Sequence, residues 1–132
     1  PALREANRLT RNNPLIATIF GHALIATENP ANYPEAVQVL KAAVTRDRES
    51  PFAWYQLGVA YAAQGDTPRA QLASAEQQVM EKRYPEALQN AQAALVALPE
   101  NSPDWLRAQD ITMQARAALE GKKKKGKAKH DG

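Results

Sequence analysis

The sequence predicts an all-α protein made of stacked helical hairpins, and three observations carry that prediction. Six prolines, Pro14, Pro34, Pro51, Pro68, Pro85 and Pro103, recur at intervals of 20, 17, 17, 17 and 18 residues. Between them, large apolar side chains fall three or four residues apart, as Trp54, Leu57 and Tyr61 do, which is the period of one helical face. The chain is 44% hydrophobic but only 6% aromatic, the balance of an alanine-rich helical protein rather than a sheet.

Each proline marks a helix start. Proline suits the first helical position, where its missing N–H is not needed and its fixed φ is already helical. Asn13, Ser50, Thr67 and Ser102 each precede one of these prolines, and each can cap the first turn. The expected helices are 14–27, 34–47, 51–64, 67–82, 85–98 and 103–120: six helices in three hairpins. Residues 1–11 can add a short N-terminal helix whose partner would lie in a preceding unit.

Helix 14–27 spreads Leu15, Ile16, Ile19, Ala23 and Leu24 over a broad apolar face. The loop 28–33 adds three residues to the usual interval. In helix 67–82, Gln77 stands where a small residue is usual. The last helix carries an apolar stripe of Trp105, Ala108, Ile111, Ala115 and Leu119, with Asp104, Arg107, Asp110, Arg116 and Glu120 on its polar side. That pattern suits a helix that seals an open array. Gly121 should end it, and the Lys-rich remainder should be disordered. Three regions follow: a lead-in at 1–12, a repeat domain at 13–120 and a tail at 121–132.

With Pro51 as position 1, Trp54 falls at 4, Leu57 at 7, Gly58 at 8, Tyr61 at 11, Gly65 at 15, Asp66 at 16 and Ala70 at 20. This spacing resembles the 34-residue tetratricopeptide repeat, a helix-turn-helix unit. The resemblance implies a right-handed superhelix in which Gly58 and Ala70 are small where two backbones approach. Gly65-Asp66 is the turn between helices. An internal echo cuts across this register. Tyr84-Pro85-Glu86-Ala87 repeats Tyr33-Pro34-Glu35-Ala36, and Trp105 repeats Trp54, both 51 residues on. Helix 85–98 can therefore be the second helix of a repeat begun at 68 or the first of one begun at 85. The 34-residue register is preferred because alternation of inner and outer helices should not skip.

Charge and residue inventory narrow the function classes. Six of the 17 Lys/Arg and one of the 14 Asp/Glu lie in 122–131, which leaves a body of 11 bases and 13 acids with net charge −2. The basic character belongs to the tail. That tail has no aromatic to stack on bases and no Arg, so specific nucleic-acid binding is not expected; attraction to an anionic surface is the minor reading.

The longest apolar stretch, Pro14–Thr27, is 14 residues, short of the ~20 needed to span a membrane. No charged start followed by an apolar block opens the chain, and a start at Pro1 reads as a processed or excised piece. Cys is absent, which removes disulfides and thiolate metal sites.

His22 and His130 are too far apart for a helix-borne zinc pair, so no metal or other cofactor is expected in this chain. His22 is expected to be structural or to line a groove. Ser50, Ser74 and Ser102 lack a His/Asp framework, and Gly65-Asp66 lacks the other residues of a phosphate loop. Glu28, Glu35, Glu49, Glu76 and Glu81 read as solvated acids.

Binding is the positive expectation. Stacked hairpins curve, and their inner helices line a concave face. In the 34-residue register that face takes Thr18, Ile19, His22 and Ile25, then Tyr55, Gln56, Val59 and Ala62, then Gln89, Asn90, Ala93 and Val96. Thr18, His22, Tyr55, Gln56, Val59, Gln89 and Asn90 are thus the candidate partner-binding residues. The lining is neutral and amide-rich. Thr18, His22, Tyr55 and Val59 occupy the places where repeats that clamp acidic peptide termini carry Lys and Asn, so an extended peptide or another domain is the expected occupant.

A longer pattern runs through residues 13–112. Asn13-Pro14-Leu15-Ile16, His22-Ala23-Leu24-Ile25-Ala26-Thr27, Ser50-Pro51-Phe52-Ala53-Trp54, Leu72-Ala73-Ser74-Ala75-Glu76 and Ser102-Pro103-Asp104-Trp105-Leu106-Arg107-Ala108 occur in order. Together they are similar to the C-terminal tetratricopeptide region of bacterial periplasmic zinc metallopeptidases of the beta-barrel assembly-enhancing type. The resemblance implies a periplasmic, non-catalytic region that packs on its own protease domain and contacts substrates or assembly machinery during envelope protein quality control. The zinc site of that family, His-Glu-x-x-His, has no counterpart here, so zinc is expected only in an attached catalytic domain. The alternative is a free-standing adaptor with no peptidase.

Overall fold

Three of the four expected caps hold their helices. The Asn13 side chain accepts from the N–H of Leu15 (3.1 Å) and Ile16 (3.4 Å), Ser50 Oγ from Ala53 (3.2 Å) and Ser102 Oγ from Trp105 (3.2 Å). The fourth lies one residue earlier than expected: Asp66 Oδ1, not Thr67, accepts from the Arg69 N–H at 3.3 Å. Asp66 can do this because its N–H already closes the preceding turn onto Tyr61 O, with Gly65 at φ +78° supplying the left-handed step. A carboxylate also suits the positive end of a helix.

The computed structural model describes the backbone of residues 2–10 and 13–131, and side chains through residue 126. The elements are α1 (Ala2–Leu9), α2 (Pro14–Ala26), a 3-10 turn (Pro30–Asn32), α3 (Tyr33–Arg46), α4 (Pro51–Ala63), α5 (Thr67–Met80), α6 (Tyr84–Ala97) and α7 (Pro103–Asp131). Seven helices pack against their neighbours, and the described residues contain no strand. None of the helices is long and apolar enough to cross a membrane.

Two departures sit at the ends. α1 docks on α2: Leu3 packs against the first core, and Arg4 lies over the Phe20 ring at 5.2 Å while pairing with Glu35 of α3. Its neighbours are therefore within this chain rather than only in a preceding unit. At the other end α7 runs through Gly121 to Asp131 instead of stopping. Lys and Ala are good helix formers, and the two glycines, Gly121 and Gly126, cost only about 1 kcal/mol each relative to alanine. His130 lies among the residues whose side chains fall outside the described set.

The alternation expected from the 34-residue register breaks at α5. α2 packs on α4 and α5 packs on α7, while no interface of comparable size joins α4 to α6. The apolar core divides the same way. Phe20, Leu24, Val37, Leu40, Val44, Trp54 and Leu57 fill the first unit, α2–α4, with Ala73 and Met80 of α5 packed onto them; Leu72, Val79, Leu98, Ile111 and a set of alanines fill the second, α5–α7. The molecule is thus two three-helix units, which is what the 51-residue echo encodes. α6 stands where α3 stands in the first unit; it buries Ala87, Ala91 and Ala94, packs Tyr84, Leu88 and Leu95 partly against the core, and leaves Val96 90% exposed.

The tightest contact falls at Gly21, against a side chain; Gly58 does face the Ala70 backbone, the pair the repeat pattern names, but with room to spare. A Cβ on Gly21 would lie 2.5 Å from Leu40 Cγ, and Leu40 is fully buried. On Gly58 it would make ordinary contacts of 3.5–3.6 Å with Ala70, Ala73 and Ser74. The smallness of Gly58 is therefore not required by the backbone approach that the repeat pattern implies.

Candidate binding surfaces

The expected lining residues divide by burial. Thr18 and Gln56 are buried and spent inside the fold: Thr18 Oγ1 donates to Pro14 O at 2.7 Å, and Gln56 Oε1 meets His22 Nδ1 at 3.1 Å. Neither is free to meet a partner, because inter-helix packing of α2 on α4 covers both. His22 and Tyr55 are exposed and Val59 is half-buried. Tyr55 and Val59 border a shallow depression of about 310 Å³ whose far wall is Gln71 and Ser74 of α5.

On α6, Gln89 is exposed, and the Asn90 amide pairs with the Gln78 amide of α5. Neither lines the depression beside Tyr55 and Val59, because α6 has no comparable packing on α4. The structure adds two residues to this face. Leu15 (64% exposed) and Phe52 (50%) border one small cavity, and Ile19 (41%) and Tyr55 (51%) continue their rows one turn on. Leu15 and Ile19 are four apart on α2, Phe52 and Tyr55 three apart on α4, so both pairs face one way.

A second site lies at the seam between the units, and the sequence reading missed it. Glu76 was expected to be a solvated acid; it is 2% exposed. Arg107 of α7 grips both carboxylate oxygens, Nε to Oε2 at 2.9 Å and Nη2 to Oε1 at 2.6 Å. That fork is what makes burial of the charge tolerable. Its hydrogen bond to Glu76 pushes the Arg107 guanidinium further up, against the opposing effect of burial. Arg69 is held by Asp104 (2.9 Å) and Asp66 (3.1 Å).

Around this network opens a cavity of about 280 Å³. Its floor is apolar, formed by Val44, Leu57, Leu72 and Ala73, and its rim carries Lys41 and Arg48. Arg48 stands over the Trp54 ring at 5.6 Å, while Trp54 Nε1 donates to Arg48 O at 2.8 Å. Tyr61 lines the same wall, its phenol pushed up by burial first and then by Asp104. The only sequence signal for Glu76 was its spacing of 31 residues from Arg107, which has meaning only once α5 is known to pack on α7.

Among the described residues no cluster of three or more His, Cys, Asp or Glu side chains could hold a metal ion. No family model and no curated protein matches the chain.

Proposed function

We propose that this chain is a non-catalytic polypeptide-binding module, a tetratricopeptide-like array that serves as the C-terminal region of a periplasmic zinc metallopeptidase. The observation that carries the binding role is the strip of Leu15, Ile19, Phe52 and Tyr55, large apolar side chains left exposed beside one another on α2 and α4. A strip of that kind suits the side chains of an unfolded segment, which gains by covering them. The ordered motifs over residues 13–112 support the link to a peptidase of envelope quality control. In this reading the chain presents misassembled outer-membrane protein to a catalytic domain that supplies the zinc.

The test uses a fluorescent, urea-unfolded outer-membrane β-barrel protein diluted into the module. Phe52→Ser combined with Tyr55→Ala should weaken capture about tenfold, the loss of two apolar anchors, with circular dichroism unchanged. Undiminished capture would overturn the groove. The peptidase link is tested by the coding sequence upstream of Pro1, where a reading frame without His-Glu-x-x-His would overturn it.

A further inference from the structure

We propose that the seam cavity anchors a carboxylate carried by a polypeptide, either a chain terminus or an Asp or Glu side chain. This deepens the polypeptide-binding reading and rests on it. The cavity wall holds four cations, Lys41, Arg48, Arg69 and Arg107, against two acids, Glu76 and Asp104. Two of those cations are already used: Arg107 by both oxygens of Glu76, Arg69 by Asp104 and Asp66.

The other two keep hydrogen-bonding capacity, although Arg48 forms a long ion pair with Glu76 and lies over Trp54. Arg48 Nη2 stands 3.6 Å from Glu76 Oε2, beyond hydrogen-bond reach, and its side chain is 59% exposed. Lys41, exposed on α3, has no acidic partner among the described residues. With Asp66 counted, four cations face three acids, and the wall keeps one net positive charge that a single anion would neutralise. Tyr61 adds a third donor: its hydroxyl stays protonated at neutral pH and makes no hydrogen bond among the described residues.

Preorganisation favours a bound ligand over incidental surface charge. Trp54 ties the Arg48 carbonyl, so the loop that carries this guanidinium is fixed before anything binds. The apolar floor gives the carbon skeleton of an acid somewhere to rest, which an inorganic anion would leave uncovered. Glu76 and Asp104 on the same wall oppose a second negative charge, which favours a carboxylate over a phosphate. At about 280 Å³ the space is below the range of drug-sized pockets, and one residue's worth of ligand fills it.

The experiment records nitrogen-15 NMR spectra of the full chain, following the Trp54 indole and the arginine Nε–H signals. The probes are N-acetyl-leucine, N-acetyl-leucinamide, the doubly blocked tripeptide acetyl-Ala-Glu-Ala-amide and inorganic phosphate, at one ionic strength. N-acetyl-leucine should give saturable shifts at Trp54, and each of Arg48→Gln and Lys41→Gln should weaken it about tenfold, the loss of one charge-assisted contact. Both substitutions are at exposed positions, so the fold is retained. The amide should give no such shift.

A response to N-acetyl-leucine alone assigns the site to chain termini, and a stronger response to the tripeptide assigns it to acidic side chains. The proposal is overturned by equal shifts with the amide, by phosphate matching the acids, or by indifference to both substitutions. It is also overturned by silence up to about 50 mM, where even a millimolar site fills. If the acids fail while capture of the unfolded barrel protein still depends on Tyr55, this inference alone falls; loss of both removes the polypeptide-binding reading as well.

Discussion

His22 and Gln56 meet, Nδ1 to Oε1 at 3.1 Å, at the place in the first unit where the second unit has Glu76 and Arg107. Gln56 and Arg107 are 51 residues apart, and His22 and Glu76 are 54 apart; the extra three are the insertion before α3. One polar pair therefore ties the first helix of each unit to its third. In the first unit the tie joins an imidazole to an amide and is partly exposed, and in the second it is ionic with its carboxylate buried.

That difference fixes how the two ties respond to mutation. Arg107→Met leaves a buried carboxylate without its fork and should cost about 3 kcal/mol, at the low end because Arg107 is itself partly exposed. Glu76→Met combined with Arg107→Met should recover at least about 1 kcal/mol of that loss, since an apolar pair strands no charge. Gln56→Leu should cost about 1 kcal/mol, the worth of one ordinary hydrogen bond. Urea unfolding followed by far-ultraviolet circular dichroism checks all three.

Gly21→Ala and Gly58→Ala should act in opposite directions. The first drives a methyl into Leu40, a core side chain with no room to move, and should destabilise by about 1–3 kcal/mol. The second meets only ordinary contacts and replaces the helix-weakening residue, so it should be neutral or gain up to about 1 kcal/mol. Thermal unfolding of the two variants side by side separates them.

Lys82 closes α5 at φ +60°, with its N–H on Val79 O and the next N–H on Gln78 O. A left-handed lysine costs what glycine does not, so Lys82→Gly should stabilise by about 1 kcal/mol. The same change at exposed Lys41, inside α3, should destabilise by about as much. Denaturant midpoints of the two variants give the comparison.

The Tyr61 phenol is raised above its usual 10.0, first by burial and then by Asp104, with Arg69 opposing. Its folded form therefore holds the proton more tightly than the unfolded chain does. The associated stability is intact below the unfolded value near pH 10 and is lost as pH climbs through the folded one. Tyr61→Phe should flatten the fall in melting temperature between about pH 9 and 12, leaving the profile near neutrality unchanged.

The helix starts could be read from the chain almost to the residue, because proline and its capping neighbour act locally; the end of α7, which overruns Gly121 to Asp131, could not. Asn13, Ser50 and Ser102 do in three dimensions what their chemistry says. Thr67 failed because Asp66, beside it, reaches the same N–H with a better acceptor. What stayed hidden was non-local. Gln77 and the Tyr-Pro-Glu-Ala echo signalled a change of register, but the choice between 34 and 51 residues depends on which helices touch. Glu76 is an ordinary-looking acid until α7 brings Arg107 to it.

The exchange of inner helix at α5 also bounds what the protein can hold. The apolar strip carried by α2 and α4 is about two helix diameters wide, roughly 20 Å. A stretched peptide crosses that distance in about six residues. Recognition on this face should thus be by short sidechain patterns recurring in many substrates, not by long sequences unique to one.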